Sequence, residues 1–443
     1  MTRLSSGGHV DRATPLRFTF DGRSLAGLAG DTLASALLAN GIHLVGRSFK
    51  YHRPRGIFSA GVEEPNALVE LRSGARREPN TRATAAELYD GLAAASQNRV
   101  GSLAFDAMSV NGLVAPFIGA GFYYKTFMWP PAFWEKVYEP MVRRAAGLGR
   151  AAREPDPDRY EAASAHCDVL VVGSGAAGLA AALAAGATGA RVILAEQDFL
   201  PGGWLLAEPE ANRWREDALA ALARMPEVRV MPRTTVLAQY KDNILAAVER
   251  VADHMPEPPT HAPRQRFWRI AAAQVVFATG AQERLIAFPG NDRPGVMLAG
   301  AGLAYARRWA VRAGESVAVF ATNDAAYDAA FGLAEAGARI VAILDPRADS
   351  PAMARARDAG LHVEPRSEVC GTSGSRRLTG VATRRVGAAG RGGGHAADLL
   401  LVSGGWNPAV HLASMAGTPL RFDAAQQTFL PDGAAPGTRS AGA

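Results

Sequence analysis

The chain has 443 residues, of which 48% are apolar, and this is enough to bury the cores of two or three domains. Its formal charge of +6 comes from arginines that are dispersed along the chain, which argues against a nucleic-acid-binding surface. Two cysteines in separate segments exclude a disulfide framework, and the lack of a signal-peptide core or of ~18 consecutive apolar residues predicts a cytoplasmic protein with no membrane segment.

The N-terminal segment has the pattern of a small α+β domain. Residues 15–30 predict a two-stranded hairpin with its turn at Asp21. A helix follows, with Asp31 as its N-cap and its end near Asn40. Hairpin and helix in this order are typical of the plant-type ferredoxin fold, whose next loop carries cluster cysteines spaced C-x4-C-x2-C. Residues 42–56 contain no cysteine, so we predict the fold without an iron–sulfur cluster.

The loop from Arg47 to Arg55 is rich in basic and histidine side chains, interleaved with Phe49, Tyr51 and Pro54. A run of charge is usually a solvated face. The aromatic residues also suit a buried contact between domains, or a phosphate site for a neighbouring flavin. The sequence leaves these alternatives open.

Residues 100–160 are rich in aromatic side chains whose spacing fits neither a helix nor a strand. Such a segment would be an exposed apolar patch unless another domain or subunit covers it, so we predict a packed connector. Residues 150–165 then predict a polar linker. The aromatic residues are Phe117, Phe122, Tyr123, Tyr124, Phe127, Trp129, Phe133, Trp134 and Tyr138.

Residues 168–196 have the complete pattern of a dinucleotide-binding βαβ unit. The apolar strand Val169–Val172 runs into Gly-Ser-Gly-Ala-Ala-Gly at residues 173–178, and an Ala/Leu-rich helix follows. A second strand, 191–195, is closed by Glu196. A bare G-x-G-x-x-G is a weak signal in a chain with 47 glycines, but the strand, helix and terminal acid around it make this one strong.

The residue types in this motif indicate which ligand it binds. Gly173 permits the tight turn, Gly175 lets a pyrophosphate approach the amides at the helix N-terminus, and Gly178 lets the helix pack on the sheet. Glu196 can accept hydrogen bonds from a ribose, and its charge would repel a 2′-phosphate. The motif therefore predicts NAD or FAD and disfavours NADP; a glycine-rich turn without a ligand is the other interpretation.

Later segments return the chain to the same site. A Gly-Gly turn at Gly202 and a buried strand, 274–280, that ends in Thr279-Gly280 both allow close approach of the backbone to a ligand. Residues 228–231 predict a further sheet strand, and 234–251 and 266–270 predict pieces of a β-meander. The predicted cofactor-binding residues are Gly173, Ser174, Gly175, Ala176, Ala177, Gly178, Glu196, Gln197, Gly202, Gly203, Trp204, Thr235, Val236, Thr279 and Gly280.

A second βαβ unit is predicted between residues 316–320 and 340–345. Its turn, residues 321–327, has no glycine, and Asp324 places a negative charge where a pyrophosphate would sit. We therefore predict a dinucleotide-domain fold that has lost its ligand. The apolar strand predicted over residues 399–408, which contains a Gly-Gly pair, is expected to return the chain to the first nucleotide domain.

Taken together, these segments resemble the α subunit of heterotetrameric sarcosine oxidase. The resemblance covers nearly the whole chain. The segments that carry it are GRSFKYHRPRGIFSAGVEEPNA (46–67), GSGAAGLAAA (173–182), PGGW (201–204), ATGAQERLIAFPGNDRPGVMLAGA (278–301), ATNDAAYDAA (321–330) and LLLVSGGWNPAVHL (399–412).

The resemblance implies an α/β fold: a glutathione-reductase-like unit of two Rossmann-type dinucleotide domains, preceded by a cluster-free plant-ferredoxin-like α+β domain. It implies NAD at the G-x-G-x-x-G, FAD in a β subunit of a hetero-oligomer, and FMN at the α–β boundary. By position, the NAD site would be lined by Gly173, Gly175, Gly178, Glu196, Gly203 and Gly280. The implied reaction converts sarcosine, oxygen and water to glycine, formaldehyde and hydrogen peroxide.

Two departures from the family and two alternative functions complete the sequence-based predictions. The folate-binding, aminomethyltransferase-like half is absent, and the chain stops inside the family's closing segment, so we expect a truncated product or fragment. The alternatives are a subunit of a related FAD-binding amine, opine or proline dehydrogenase, and a non-catalytic nucleotide-binding remnant. No catalytic or metal-binding residue is predicted. The predicted domains are 1–100, the connector 101–165, 166–290 with 398–443, and the degenerate domain 291–397.

Overall fold

In the computed structural model, which describes residues 2–117, 119, 121, 127–390 and 392–442, the chain folds as two units. One unit comprises Met1–Pro157 and Leu285–Gly404, and the other comprises Asp158–Arg284 and Gly405–Ala443. None of the described helices is long and apolar enough to cross a membrane.

The strands and helices are numbered here in chain order. The strands are β1 (Asp11–Phe20), β2 (Arg23–Ala29), β3 (Gly46–Arg47), β4 (Pro54–Arg55), β5 (Leu68–Leu71), β6 (Glu78–Arg82), β7 (Leu92–Ser96), β8 (Tyr160–Val172), β9 (Val192–Ala195), β10 (Val228–Met231), β11 (Thr234–Gln239), β12 (Ile244–Glu249), β13 (Gln265–Phe277), β14 (Ala281–Glu283), β15 (Val296–Leu298), β16 (Ser316–Ala321), β17 (Arg339–Asp345), β18 (Val363–Pro365), β19 (Ser367–Ser373), β20 (Gly380–Arg385), β21 (Gly393–His395), β22 (Leu399–Ser403), β23 (Trp406–Pro408), β24 (Leu420–Asp423), β25 (Thr428–Pro431) and β26 (Thr438–Ser440). The α-helices are α1 (Leu33–Ala39), α2 (Glu139–Ala146), α3 (Ala176–Gly186), α4 (Pro209–Ala223), α5 (Ala299–Arg308), α6 (Ala325–Glu335), α7 (Pro351–Asp358) and α8 (His411–Met415).

The N-terminal part of the first unit contains a five-stranded sheet in the order β2-β1-β7-β5-β6, with α1 packed on it. The predicted hairpin is confirmed, and its turn residue Asp21 has a φ of +50°. The predicted N-cap is wrong by one residue. Thr32 caps α1, because its hydroxyl and that of Ser35 each accept the other's backbone N–H. The Asp31 carboxylate instead pairs with Arg3 at 2.6 Å.

A buried carboxylate organises the loop between α1 and β5. Glu64 is 1% exposed and accepts hydrogen bonds from four backbone amides at 2.7–3.0 Å. The donors are Phe58, Ser59, Asn66 and Ala67. Burial raises the pKa of Glu64, and these four bonds act in the opposite direction. One side chain therefore ties together the two ends of the segment 58–67, the last part of this loop.

Several aromatic side chains of the connector are exposed. Phe117 is 86% exposed and Trp129 is 79% exposed. Phe122, Tyr123 and Tyr124 lie outside the described residues. Its cover by another domain or subunit stays a prediction. The polar linker is shorter than predicted, because β8 already begins at Tyr160.

The rest of the first unit is built on a parallel sheet in the order β15-β22-β16-β17-β18. This sheet contains the predicted second βαβ unit, β16-α6-β17. The segment predicted over residues 399–408 divides between the two units. Its first part, β22, lies between β15 and β16 in the first unit, and all five residues of β22 are buried. The chain then enters the second unit, which contains the nucleotide turn, at Gly405. A continuous apolar run of this kind is compatible with the centre of any parallel sheet, so the sequence does not determine which of the two sheets the strand joins.

The second unit is built on parallel strands in the order β10-β9-β8-β13, with β26 beside the end of β13. Strands β11 and β12 form the predicted meander against the first half of β13. The two predicted pieces 266–270 and 274–280 belong to one continuous strand, β13, apart from the last three residues of the second piece. Two apolar clusters lie on the two faces of this sheet and centre on Leu170 and Val171, neighbours whose side chains alternate across β8. The predicted Rossmann-type fold is confirmed.

Candidate dinucleotide site

The turn between β8 and α3 depends on two glycines for its shape. Gly173 has a φ of +98°, and a Cβ there would clash with the carbonyl oxygen of Ala278. A Cβ at Gly178 would clash with the carbonyl oxygen of Gly173. Both glycines are therefore needed to fold the turn and seat α3 against β13, whatever the site binds.

Gly175 is different, because the protein's own packing does not require it. It is the N-cap of α3 with φ −64° and ψ −176°, a conformation open to any residue. A Cβ built at Gly175 would have no atom within 4 Å. The position is thus an open backbone surface at the positive end of a helix, which suits the close approach of a phosphate group.

Glu196 closes β9 and is buried, with 6% exposure. Its carboxylate accepts hydrogen bonds from the backbone N–H and the hydroxyl of Ser174 at 2.8 and 2.6 Å, and from the N–H of Asp198 at 2.8 Å. Burial raises the pKa of Glu196, and these hydrogen bonds oppose the rise. A carboxylate has about four acceptor positions, so three protein donors leave about one for a ribose hydroxyl.

The Gly-Gly turn lies against the first turn. The Gly202 N–H donates to the Ser174 hydroxyl at 3.0 Å, and a Cβ at Gly203 would lie 3.1 Å from the Cα of Gly175. Beneath this turn, buried Arg215 donates to the Pro201 carbonyl at 2.9 Å. The sequence did not predict a role for Arg215. An arginine on a helix with many charged residues is expected to face solvent, and nothing in its sequence position indicates that it holds a distant loop.

The far side of the site is formed by two later segments of the second unit. The Thr279 hydroxyl donates to the Ala409 carbonyl at 2.8 Å, and the Ala409 N–H donates to the Gly280 carbonyl at 2.9 Å. A Cβ at Gly280 would have no atom within 4 Å, as at Gly175. A Cβ at Gly442 would lie 2.9 Å from the Cβ of Ala177, so the closing segment reaches the start of α3.

The remaining predicted site residues lie around this centre with different roles. The Gln197 carbonyl accepts a hydrogen bond from Arg250. Strand β11, which carries Thr235, begins beside Glu196, because the Thr234 N–H donates to the Glu196 carbonyl at 2.7 Å. The side chain of Val236 is buried in the apolar core, so it is not available to a ligand. Trp204 is 44% exposed, with its ring 5.9 Å from that of Trp406.

At the turn of the second βαβ unit, the acidic side chains are paired with other side chains of the same unit. Arg347 donates to Asp324 and to buried Asp345, both at 2.7 Å, and Tyr327 also donates to Asp345 at 2.9 Å. These two carboxylates raise the pKa of Arg347. The Arg347 guanidinium therefore offsets the charge of Asp324. That this turn has lost the ability to bind a dinucleotide stays a prediction.

The loop from Arg47 to Arg55 is held in place by pairs of oppositely charged or polar side chains within the first unit. Arg53 and Arg55 both pair with Asp292, at 2.6 and 2.8 Å. His52 and Asp106 form a buried pair at 2.6 Å. These contacts favour a packed loop over a purely solvated face.

Taken together, the fold and the site define a two-dinucleotide-domain oxidoreductase. Residues 167–429, more than half of the chain, match the family described as Pyridine nucleotide-disulphide oxidoreductase, and the chain belongs to this family. Residues 13–99 match a 2Fe-2S iron-sulfur cluster binding domain. That segment contains no cysteine, so the thiolates that hold such a cluster are absent from it.

Curated relatives confirm the resemblance to sarcosine oxidase α subunits. The chain is 52% identical to the sarcosine oxidase α subunit of Rhizobium meliloti (strain 1021), over 99% of this chain and 45% of the relative. It is 38% identical to the same protein of Corynebacterium sp. (strain P-1), over 99% of this chain and 42% of the relative. The chain thus spans less than half the length of these relatives.

The chain is also similar to an opine oxidase subunit in sequence and to an L-proline dehydrogenase in fold. An opine oxidase subunit of Rhizobium meliloti is 29% identical over 60% of this chain and 55% of the relative. The crystal structure of L-proline dehydrogenase from P. horikoshii superposes with a TM-score of 0.61 at 18% identity, over 97% of this chain and 69% of that chain. At this identity the likeness concerns the fold alone.

Proposed function

We propose that this chain is the α-subunit component of a flavin-dependent sarcosine oxidase, and that its own role is to bind NAD at the Gly173–Gly178 turn. The complex would convert sarcosine, oxygen and water to glycine, formaldehyde and hydrogen peroxide. The similarity to sarcosine oxidase α subunits supports the reaction, and we place the complex in the cytoplasm.

The observation that carries the binding proposal is the open surface at Gly175. This glycine has no packing role of its own, yet it stands where the helix N-terminus presents its amides. Ser174, Gly202 and Glu196 are joined by hydrogen bonds beside it, so the backbone around the pyrophosphate position is pre-organised. The buried carboxylate of Glu196 favours a ribose 2′-hydroxyl over a 2′-phosphate.

In this proposal the amine chemistry belongs to a partner. A β subunit would carry the FAD that oxidises sarcosine, and an FMN would lie at the boundary between the two subunits. A bound flavin supplies hydride acceptance and reoxidation by oxygen. The residues of this chain bind and orient NAD, and none of them is assigned a proton-transfer step.

A second candidate is a component of a related opine or proline dehydrogenase in which the same turn holds FAD. The similarity to the opine oxidase relative favours it, and the turn geometry accepts either dinucleotide. The cofactor therefore separates the two candidates.

The test begins with the purified full chain. Its absorbance spectrum and the cofactor released on denaturation identify what is bound, and calorimetric titrations with NAD, NADP and FAD measure the preference. We expect a colourless chain that binds NAD more tightly than NADP. A yellow chain that releases FAD would overturn the NAD assignment.

The reaction is tested separately, by co-expression with a candidate β subunit. Production of hydrogen peroxide from sarcosine by a co-purifying complex supports the proposed reaction. A chain that binds NAD but gives no active complex would support a non-catalytic remnant instead.

A further inference from the structure

Three polar side chains from two segments of the chain meet at the edge of the parallel sheet of the first unit. His362 precedes the edge strand β18, Glu364 lies within it, and His395 ends β21 of the neighbouring three-stranded sheet. His362 and Glu364 are two residues apart in extended backbone, so their side chains point to the same face. His395 completes the group from a different sheet.

We propose that His362, Glu364 and His395 form a binding site for a divalent transition metal of the Zn²⁺ type. The Nε2 atoms of His362 and His395 lie 3.1 and 2.8 Å from the same Glu364 oxygen, Oε1. One ligand atom from each of the three side chains lies within 4.8 Å of the others.

The spacing is close to what a tetrahedral ion needs. Ligand atoms about 2.0–2.1 Å from Zn²⁺ at tetrahedral angles are about 3.3 Å apart. The two nitrogen–oxygen distances here are shorter than that, so an ion would enter by spreading the group slightly. Rotations of the partly exposed His362 and Glu364 side chains can supply this movement, since their exposed fractions are 59% and 26%.

The ligand chemistry selects among metals. Imidazole nitrogen favours Zn²⁺, Cu²⁺ and Ni²⁺, whereas Mg²⁺ and Ca²⁺ prefer sites made of oxygen atoms. Two neutral imidazoles and one carboxylate place a single negative charge against a divalent cation. Three protein ligands leave one tetrahedral position for water or for an exogenous group.

Solvent has a route to that position. His395 also lines an open cavity of about 530 Å³ together with Thr379, Val381 and Gly393. The backbone that carries the ligands is itself fixed, because the His362 carbonyl accepts the Ile343 N–H at 2.8 Å and His395 is in register with Val381 on β20. A bound ion would therefore link the sheet edge to the three-stranded sheet.

The test uses the untagged full chain after treatment with a chelator. Titration with Zn²⁺ alone should give one equivalent of tight binding and a higher melting temperature. Replacement by Co²⁺ should give the visible absorption of a four-coordinate site. His395→Ala and Glu364→Gln should each weaken Zn²⁺ binding at least about 100-fold, beyond the 10–100-fold cost of losing a residue that only supports a metal ligand.

The matched control is His261→Ala, which removes an exposed histidine from the other unit. It should bind Zn²⁺ like the parent. Circular dichroism and NAD titration in the presence of a chelator check that each variant is folded. No binding by the parent, or equal binding by the parent and His395→Ala, would overturn the proposal and leave a carboxylate that accepts two histidine hydrogen bonds.

Discussion

The glycine turn allows ligand binding to be separated from folding with two single-methyl substitutions. In Gly175→Ala, the new methyl group meets no atom within 4 Å and the backbone angles already suit alanine. We expect the free energy of unfolding to change by no more than about 1 kcal/mol, because the restriction that alanine places on the unfolded chain and its poorer fit to an N-cap position act in opposite directions.

The same methyl group should be costly for the dinucleotide. It occupies the surface that the pyrophosphate approaches, so charged hydrogen bonds to the amides at the start of α3 are lengthened or lost. Losing one such bond costs about 1.5–3 kcal/mol, which corresponds to roughly 10- to 150-fold weaker NAD binding.

Gly178→Ala is the comparison variant, in which the added methyl group should destabilise the fold. Its methyl group would clash with the Gly173 carbonyl oxygen, so α3 must shift away from the sheet. Overpacking of this kind costs about 1–3 kcal/mol, and the melting temperature should fall even without ligand. Differential scanning fluorimetry and calorimetric titration with NAD measure both quantities. NAD binding by Gly175→Ala equal to that of the parent would refute the reasoning, and so would a fall in its melting temperature as large as that of Gly178→Ala.

Three further predictions concern buried or paired carboxylates. Glu64→Gln should lower the unfolding free energy by about 1–3 kcal/mol, because one amide oxygen cannot accept four N–H donors; chemical denaturation measures this, and an unchanged midpoint contradicts it. Ser174→Ala should weaken NAD binding while Thr188→Ala, an exposed control at the end of α3, should not; equal affinities would argue against a pre-organised turn. Hydrogen bonds from Arg191 lower the pKa of Asp168 to about 2, so this pair should stabilise the fold above about pH 4 and lose its effect as the pH falls towards 2. Asp168→Asn should therefore reduce the difference in stability between pH 5 and pH 2, and an unchanged difference would contradict the assignment.

The sequence predicted best what is determined by local chemistry. The G-x-G-x-x-G turn, its strand and its helix follow from a few consecutive residues, and the hairpin at Asp21 follows from its turn type. The helix cap was misplaced by one residue because Asp31 and Thr32 are both good caps, and only the tertiary ion pair of Asp31 with Arg3 decides between them.

What the sequence could not predict depends on which segments meet. The buried run of β22 is compatible with either parallel sheet, and its place between β15 and β16 is fixed by long-range pairing. The support that Arg215 gives to the Gly202 turn has the same origin. His395 lies 31 residues beyond Glu364, so their meeting follows only from the contact between two sheets.

Strand β13 has a consequence for the order in which the second unit can open. Its first half is paired with β8 on one side and β12 on the other, and its last residues are paired with β8 and β26. The meander and the parallel part of the sheet thus share strand β13. A large opening of either part, of the kind that allows amide hydrogens to exchange, therefore disturbs the other part. Amides in the middle of β13 should exchange only through global unfolding of the unit, which makes this strand its slowest-exchanging segment.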